Sequence, residues 1–203
     1  MSALKDAGLY DNTIIVLLAD HGEEFWEREK WDHGDTVHQE LLHIPMIIKI
    51  PGAAPARIAS RIRSIDLYPT LLDLSGLPYD PKNIQGESLA SLIKDGNGPD
   101  RTLMSESCLY YEEQKSAAKG DLKIIMHAFR HAPELYDLKN DPLEQHDISA
   151  ERPDDLKEMK ALLDSMNAAN ADMRKRLLGK TTQSNKPLSP AMIEQMKALG
   201  YVQ

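Results

Sequence analysis

Asp20-His21-Gly22 sets a carboxylate beside an imidazole directly after a run of apolar residues. Both side chains are cation ligands of compatible type, and the glycine permits a sharp turn that lets them converge. A metal centre ordinarily takes at least three protein ligands. The spacing alone therefore leaves two readings open: part of a divalent-cation site, or a strand-ending turn with a capping Asp and a surface His. His33-Gly34 follows twelve residues after His21, ahead of a helical stretch. A histidine there could contact an anionic substrate oxygen or protonate a leaving group; by itself it reads as a loop histidine in water. Glu23 and Glu24 could orient His21, with a solvated charge pair as the simpler reading. His38 and His43 read as helix-surface and strand-entry residues. Cys108 is the single thiol. It excludes an internal disulfide and a cysteine-based zinc cluster, and next to Ser107, Leu109 and Tyr110 it reads as structural rather than as an activated nucleophile.

These residues need a scaffold. Residues 13–19 are continuous, apolar and largely β-branched, the pattern of a strand buried on both faces in a parallel sheet. Residues 2–7 read as the last turns of a helix with Gly8 as its left-handed cap. A polar loop over 23–35, a short helix over 36–42 and a second strand over 45–51 complete a βαβ-type arrangement. Ligands of open α/β sheets bind beyond the C-terminal strand ends, which is where Asp20 stands. Further helices are expected over 64–75, capped by Gly76, and over 88–94. From about residue 99 the texture changes. Short strands at 103–107, 122–128 and 134–138 suggest a small antiparallel sheet. An amphipathic helix over 154–178 follows, with Leu156, Met159, Leu162, Leu163, Met166, Met173 and Leu177 on one stripe. Residues 180–188 read as a linker and 189–200 as a final helix. The expected division is 1–98, part of an α/β core, and 99–203, a small α+β unit with a tail.

Composition narrows the chemistry. The 203 residues carry 24 Lys and Arg against 32 Asp and Glu, a net charge of -8. That balance argues against nucleic acid or an anionic membrane as a partner, because both select basic surfaces. No stretch approaches the roughly 18 apolar residues of a membrane span. The first residues carry no basic segment followed by an apolar one, so no signal peptide is expected and the compartment is left open. Aromatics make up 5% of the chain, which disfavours stacking platforms for carbohydrate or single strands.

A longer ordered series carries a resemblance. Residues 9–16 (LYDNTIIV), Asp20-His21-Gly22-Glu23, His33-Gly34, Ile44-Pro45-Met46-Ile47-Ile48 and Pro51-Gly52 resemble the second half of a type I sulfatase. Residues 64–72 (SIDLYPTLL), Gly76-Leu77-Pro78, Gly86-Glu87-Ser88-Leu89, then Glu134-Leu135-Tyr136-Asp137-Leu138 with Asp141-Pro142 and Glu144, and Leu199-Gly200-Tyr201 continue it in order. The wider group is the alkaline-phosphatase-like superfamily.

The resemblance implies a partial alkaline-phosphatase-like α/β sheet flanked by helices, followed by a small α+β subdomain with antiparallel strands and a long helix. It also implies roles. Asp20 matches a ligand of the active-site divalent cation, and His21 takes the neighbouring ligand position, where many sulfatases have Asn. His33 matches a basic residue, often Lys, that contacts the transferred group. The cation is calcium by family; the imidazole at 21 suits manganese or zinc better. Both histidine departures also occur in phosphonate- and phosphate-handling members, so a phosphoester or phosphonate substrate stands beside a sulfate ester. The family's nucleophile, a formylglycine made from a C/S-x-P-x-R segment, has no counterpart in these residues. The expectation is therefore a C-terminal portion inactive alone, with a noncatalytic partner-binding role as the rival. Strands left without partners are expected to favour self-association.

Overall fold

A computed structural model describes residues 1–107, 112–129 and 131–179. Cys108, the 180–188 linker, the 189–200 helix and the Leu199-Gly200-Tyr201 tail lie outside the described residues. Two compact units are present, Met1–Asn167 and Ala168–Gln203.

The chain opens with α1 (Ser2–Asp6), and Gly8 takes the left-handed conformation, φ 66°. The apolar run becomes β1 (Ile15–Leu18), and the proline-bounded one β4 (Met46–Lys49). They pair antiparallel, Leu17 opposite Ile47, in a two-stranded sheet. The βαβ expectation fails here. The connection between them holds a single turn of helix, α2 (Gln39–Leu42), whereas the crossover of a parallel pair is usually carried by a full helix. Burial on both faces fails as well, since Leu17 is 61% and Ile47 60% exposed. The loop before α2 also holds a hairpin that periodicity did not reveal, β2 (Glu24–Phe25) against β3 (Trp31–Asp32).

The next helix is α3 (Leu67–Leu74), preceded by a single 3-10 turn over Ser64–Asp66, and α4 (Ala90–Asp95) follows. Asp66 joins these segments. Fully buried, its carboxylate accepts from Arg63 Nη2 at 2.8 Å, from the Arg63 N–H and from the Glu87 N–H. Thr70 Oγ1 accepts the Leu89 N–H at 2.8 Å, which fixes the start of α4. A Cβ on Gly86 would lie 2.0 Å from the Ile65 carbonyl oxygen. The close approach, not a turn, requires glycine there.

A four-stranded antiparallel meander follows, β5 (Leu103–Ser107), β6 (Gln114–Lys119), β7 (Leu122–His127) and β8 (Glu134–Asp137), in sequence order. β6 escaped the sequence reading because its buried positions are Gln114, Ser116, Ala117 and Ala118, polar or too small to signal a strand. β7 shows the strand's period of two on both faces. Leu122, Ile124 and Met126 join the core formed with α5 (Pro153–Leu178), where Ala117, Leu135, Met159 and Leu163 are buried. Ile125, on the opposite face, packs with Val37 and Tyr136. Lys123 and His127, on that same face, enter ion pairs. The expected stripe on α5 is inward at Met159 and Leu163, with Leu156, Leu162 and Met166 against it.

Candidate active site

Past the end of β1 the chain turns through Asp20, His21 and Gly22. The glycine is required by proximity: a Cβ would sit 1.9 Å from the Glu40 carbonyl oxygen, and the Gly22 N–H donates to Leu41 O at 2.8 Å. The tripeptide is thereby clamped to α2. His21 Nδ1 lies 2.8 Å from the Gly22 carbonyl. A carbonyl only accepts, so Nδ1 carries the proton. Nε2, 3.8 Å from Asp20 Oδ2, keeps its lone pair for a ligand.

His33 reaches the same place from the end of β3. Its ring stacks on His21, centroids 3.9 Å apart and planes 19° from parallel. His33 Nδ1 lies 3.5 Å from Glu23 Oε2 and 2.8 Å from Asp32 Oδ1. That nitrogen is shielded from solvent and has no partner in hydrogen-bonding geometry among the described residues. One ligand atom each from His21, Glu23 and His33 lies within 4.8 Å of the other two. The donor set is thus two imidazoles and a carboxylate, with the exposed Asp20 carboxylate beside them. Mixed nitrogen and oxygen donors fit manganese or zinc better than calcium. The residues present therefore fit a divalent cation.

Three sequence readings need correction. Glu23 and Glu24 are not a solvated pair: Glu23 belongs to the cluster, and Glu24 is 1% exposed. Burial pushes the Glu24 carboxyl above the usual range; Lys30 and Arg28 oppose the rise, and Glu40 and Asp35 add to it. His33 does not sit at the N-terminus of α2, whose N-cap is His38. His38 is not a helix-surface residue. It is buried, with Nδ1 2.9 Å from Glu144 Oε2.

Glu144 anchors the start of α2, the helix to which Gly22 is clamped. Fully buried, it takes Lys123 Nζ at 2.6 Å on one oxygen and His38 and the Gln39 N–H on the other. Lys123 Nζ also donates to Val37 O at 2.7 Å, and Arg28 Nη2 donates to Glu144 O at 2.9 Å. Burial alone would raise the Glu144 carboxyl, but the hydrogen bonds and charges of His38 and Lys123 hold it below the usual carboxylate range. From this centre polar contacts run outward, His38 to Glu134 at 3.9 Å, Glu134 to His127 at 3.2 Å and His127 to Glu112 at 3.4 Å. Sequence reasoning found Glu144 only as part of a family motif. Its partner Lys123 carried no signal, because a lysine in a strand ordinarily faces water.

Comparison with known proteins bears on the chain's family and fold. Residues 1–77 match the family model described as Sulfatase. Arylsulfatase K of Xenopus laevis is 30% identical over 183 residues, which is 82% of this chain and 33% of the relative. Endo-4-O-sulfatase of Bacteroides thetaiotaomicron is 33% identical over 97 residues, 47% of this chain and 19% of the relative. Among solved structures, BT4656 in complex with its substrate D-glucosamine-2-N,6-O-disulfate superposes with a TM-score of 0.68 at 26% identity, covering 91% of this chain and 38% of that one. The chain spans about a third of the length of the arylsulfatase relatives it matches.

Proposed function

We propose that this chain, a member of the sulfatase family of alkaline-phosphatase-like fold that covers the C-terminal part of its relatives, supplies the cation-holding and anion-contacting half of a sulfate-ester hydrolase site. The observation that carries the proposal is the convergence of His21, Glu23 and His33, beside Asp20, at the end of β1 and β3. Asp20 and His21 would hold the cation, and Glu23 lies in reach of it. When bound, a divalent cation polarises a sulfuryl oxygen and favours an anionic nucleophile.

The chain's own residues do the rest. The Gly22 carbonyl fixes the His21 ring and directs its free nitrogen to the site. His33 faces the same space. A ring N–H donated from it to a non-bridging sulfate oxygen would offset charge as the S–O bond to the leaving group lengthens. The attacking group is not among these residues, since no C/S-x-P-x-R segment occurs in them. The arylsulfatase relatives support a sulfate ester as substrate.

The test is sulfate release from phenyl sulfate by the purified chain with manganese, zinc or calcium. No turnover above buffer is expected. Turnover that survives purification and disappears in Asp20→Ala would overturn the assignment of the nucleophile to residues outside this chain.

A further inference from the structure

The loop between the two stacked histidines carries an unusual concentration of aromatic surface. Both tryptophans of the chain and one of its two phenylalanines fall within seven residues, 25–31. None is covered: Phe25 is 65%, Trp26 55% and Trp31 62% exposed. They touch one another instead. Phe25 meets Trp31 edge-on with centroids 6.4 Å apart, and Trp26 lies 6.0 Å from Trp31. Exposed apolar side chains scattered singly need no explanation, but a contiguous patch marks a binding surface. The low aromatic content that argued against a stacking platform is misleading, because the few large rings are gathered in one place.

The hairpin beneath these rings is held rigidly. The Trp26 N–H donates to Lys30 O at 2.9 Å across the turn. Arg28 ties the tip to the carbonyls of Leu143 and Glu144. Of the four non-glycine residues with positive φ among the described residues, three lie here: Trp26 at 84°, Glu29 at 58° and Asp32 at 84°. For a residue as bulky as tryptophan that conformation is strained, and such strain gathers at ligand-binding sites.

Register connects the rings to the candidate site. Phe25 opposes Trp31 and Glu24 opposes Asp32. One step further along the ribbon are Glu23 and His33, whose side chains lie 3.5 Å apart. The aromatic pair is thus two rungs, about 7 Å, from the carboxylate and imidazole of the site. An ester whose anion sits at His33 would carry its organic group toward that pair.

We propose that Phe25, Trp26 and Trp31 form a subsite for a ring with a flat apolar face, the group that bears the sulfate. This rests on the reading of His21 and His33 as the cation and anion site, respectively. Aryl rings and the C–H face of a pyranose share that chemistry, and both stack on indole.

Because both tryptophans are on the hairpin, tryptophan emission, excited at the red edge where tyrosine does not absorb, reports on it alone. The titrants are phenyl sulfate, glucosamine 6-sulfate, methyl sulfate and inorganic sulfate, followed in parallel by the ring-proton resonances of His21 and His33. Saturable fluorescence change is expected with one or both ring esters and not with methyl sulfate. A response to phenyl sulfate alone identifies an aryl group, and one to the sugar sulfate alone a pyranose. Phe25→Ala keeps both reporters and should weaken ring-ester binding about fivefold, with the sulfate-induced histidine shifts unchanged. Histidine shifts with inorganic sulfate, but equal fluorescence response to methyl sulfate and the ring esters or none at all, would overturn the subsite and leave the anion site standing. Saturable ring-ester binding that ignores His33→Ala, with no histidine response to sulfate, would keep the platform and overturn the reading of the site on which it was built.

Discussion

A carboxylate with no exposed surface survives at Glu144 because every approach to it is occupied by a donor: Lys123, His38 and the Gln39 N–H. Removing one member of such a group strands the others, typically at about 3–5 kcal/mol. Lys123→Met and Glu144→Gln should each destabilise the chain by that order in urea unfolding, and the double variant should cost less than their sum. Additive costs would show that the pair is not coupled. The same geometry sets an acid limit. A carboxyl held below its ordinary value contributes stability that is complete above that value and is lost as pH falls through the folded one. Stability should therefore fall below about pH 4.5, and Glu144→Gln should flatten that part of the profile. At this scale the sequence was half legible. Asp20, His21 and His33 could be named because their types are those of ligands and donors. Glu24, His38 and Lys123 could not, since charged residues ordinarily read as solvated, and only tertiary burial reverses that.

Elements that announce themselves by period were read well. β5 was placed at its observed bounds, and α3, α4, β7, β8 and α5 within a few residues, because alternating or helical apolar spacing survives in their sequences. β6 has no large apolar residue, and the β2–β3 hairpin rests on two-residue strands, so neither leaves a periodic trace. The direction of β4 against β1 was misjudged because apolar content carries no information on strand orientation. Packing at this scale can be checked at Leu163, which is 2% exposed in the core under α5. Leu163→Ala should cost about 2–5 kcal/mol, whereas Leu177→Ala, 46% exposed on the same helix, should change stability by no more than about 0.5 kcal/mol. Equal costs would mean that the helix does not dock by its expected stripe.

Over the whole molecule the sheet of the α/β part is the exposed feature. β1 and β4 pair only with each other among the described residues, and their facing residues Leu17 and Ile47 are largely bare. Open edges and apolar surface recruit further strands. The chain should self-associate in light scattering at high concentration, and Leu17→Lys with Ile47→Lys should return it to a monomer; a wild-type monomer at every concentration would contradict this. No helix among the described residues is long and apolar enough to cross a membrane. Calorimetric titration of the chain with manganese, zinc and calcium decides whether Asp20 and His21, with Glu23 and His33 in reach, form a cation half-site. Each ligand missing from a centre weakens it, and the loss of an orienting group alone typically costs about 10–100-fold. One weak site is expected, favouring manganese or zinc over calcium, abolished by His21→Ala and unaltered by His146→Ala, an exposed histidine paired with Glu151. Tight stoichiometric binding, or binding indifferent to His21, would contradict it.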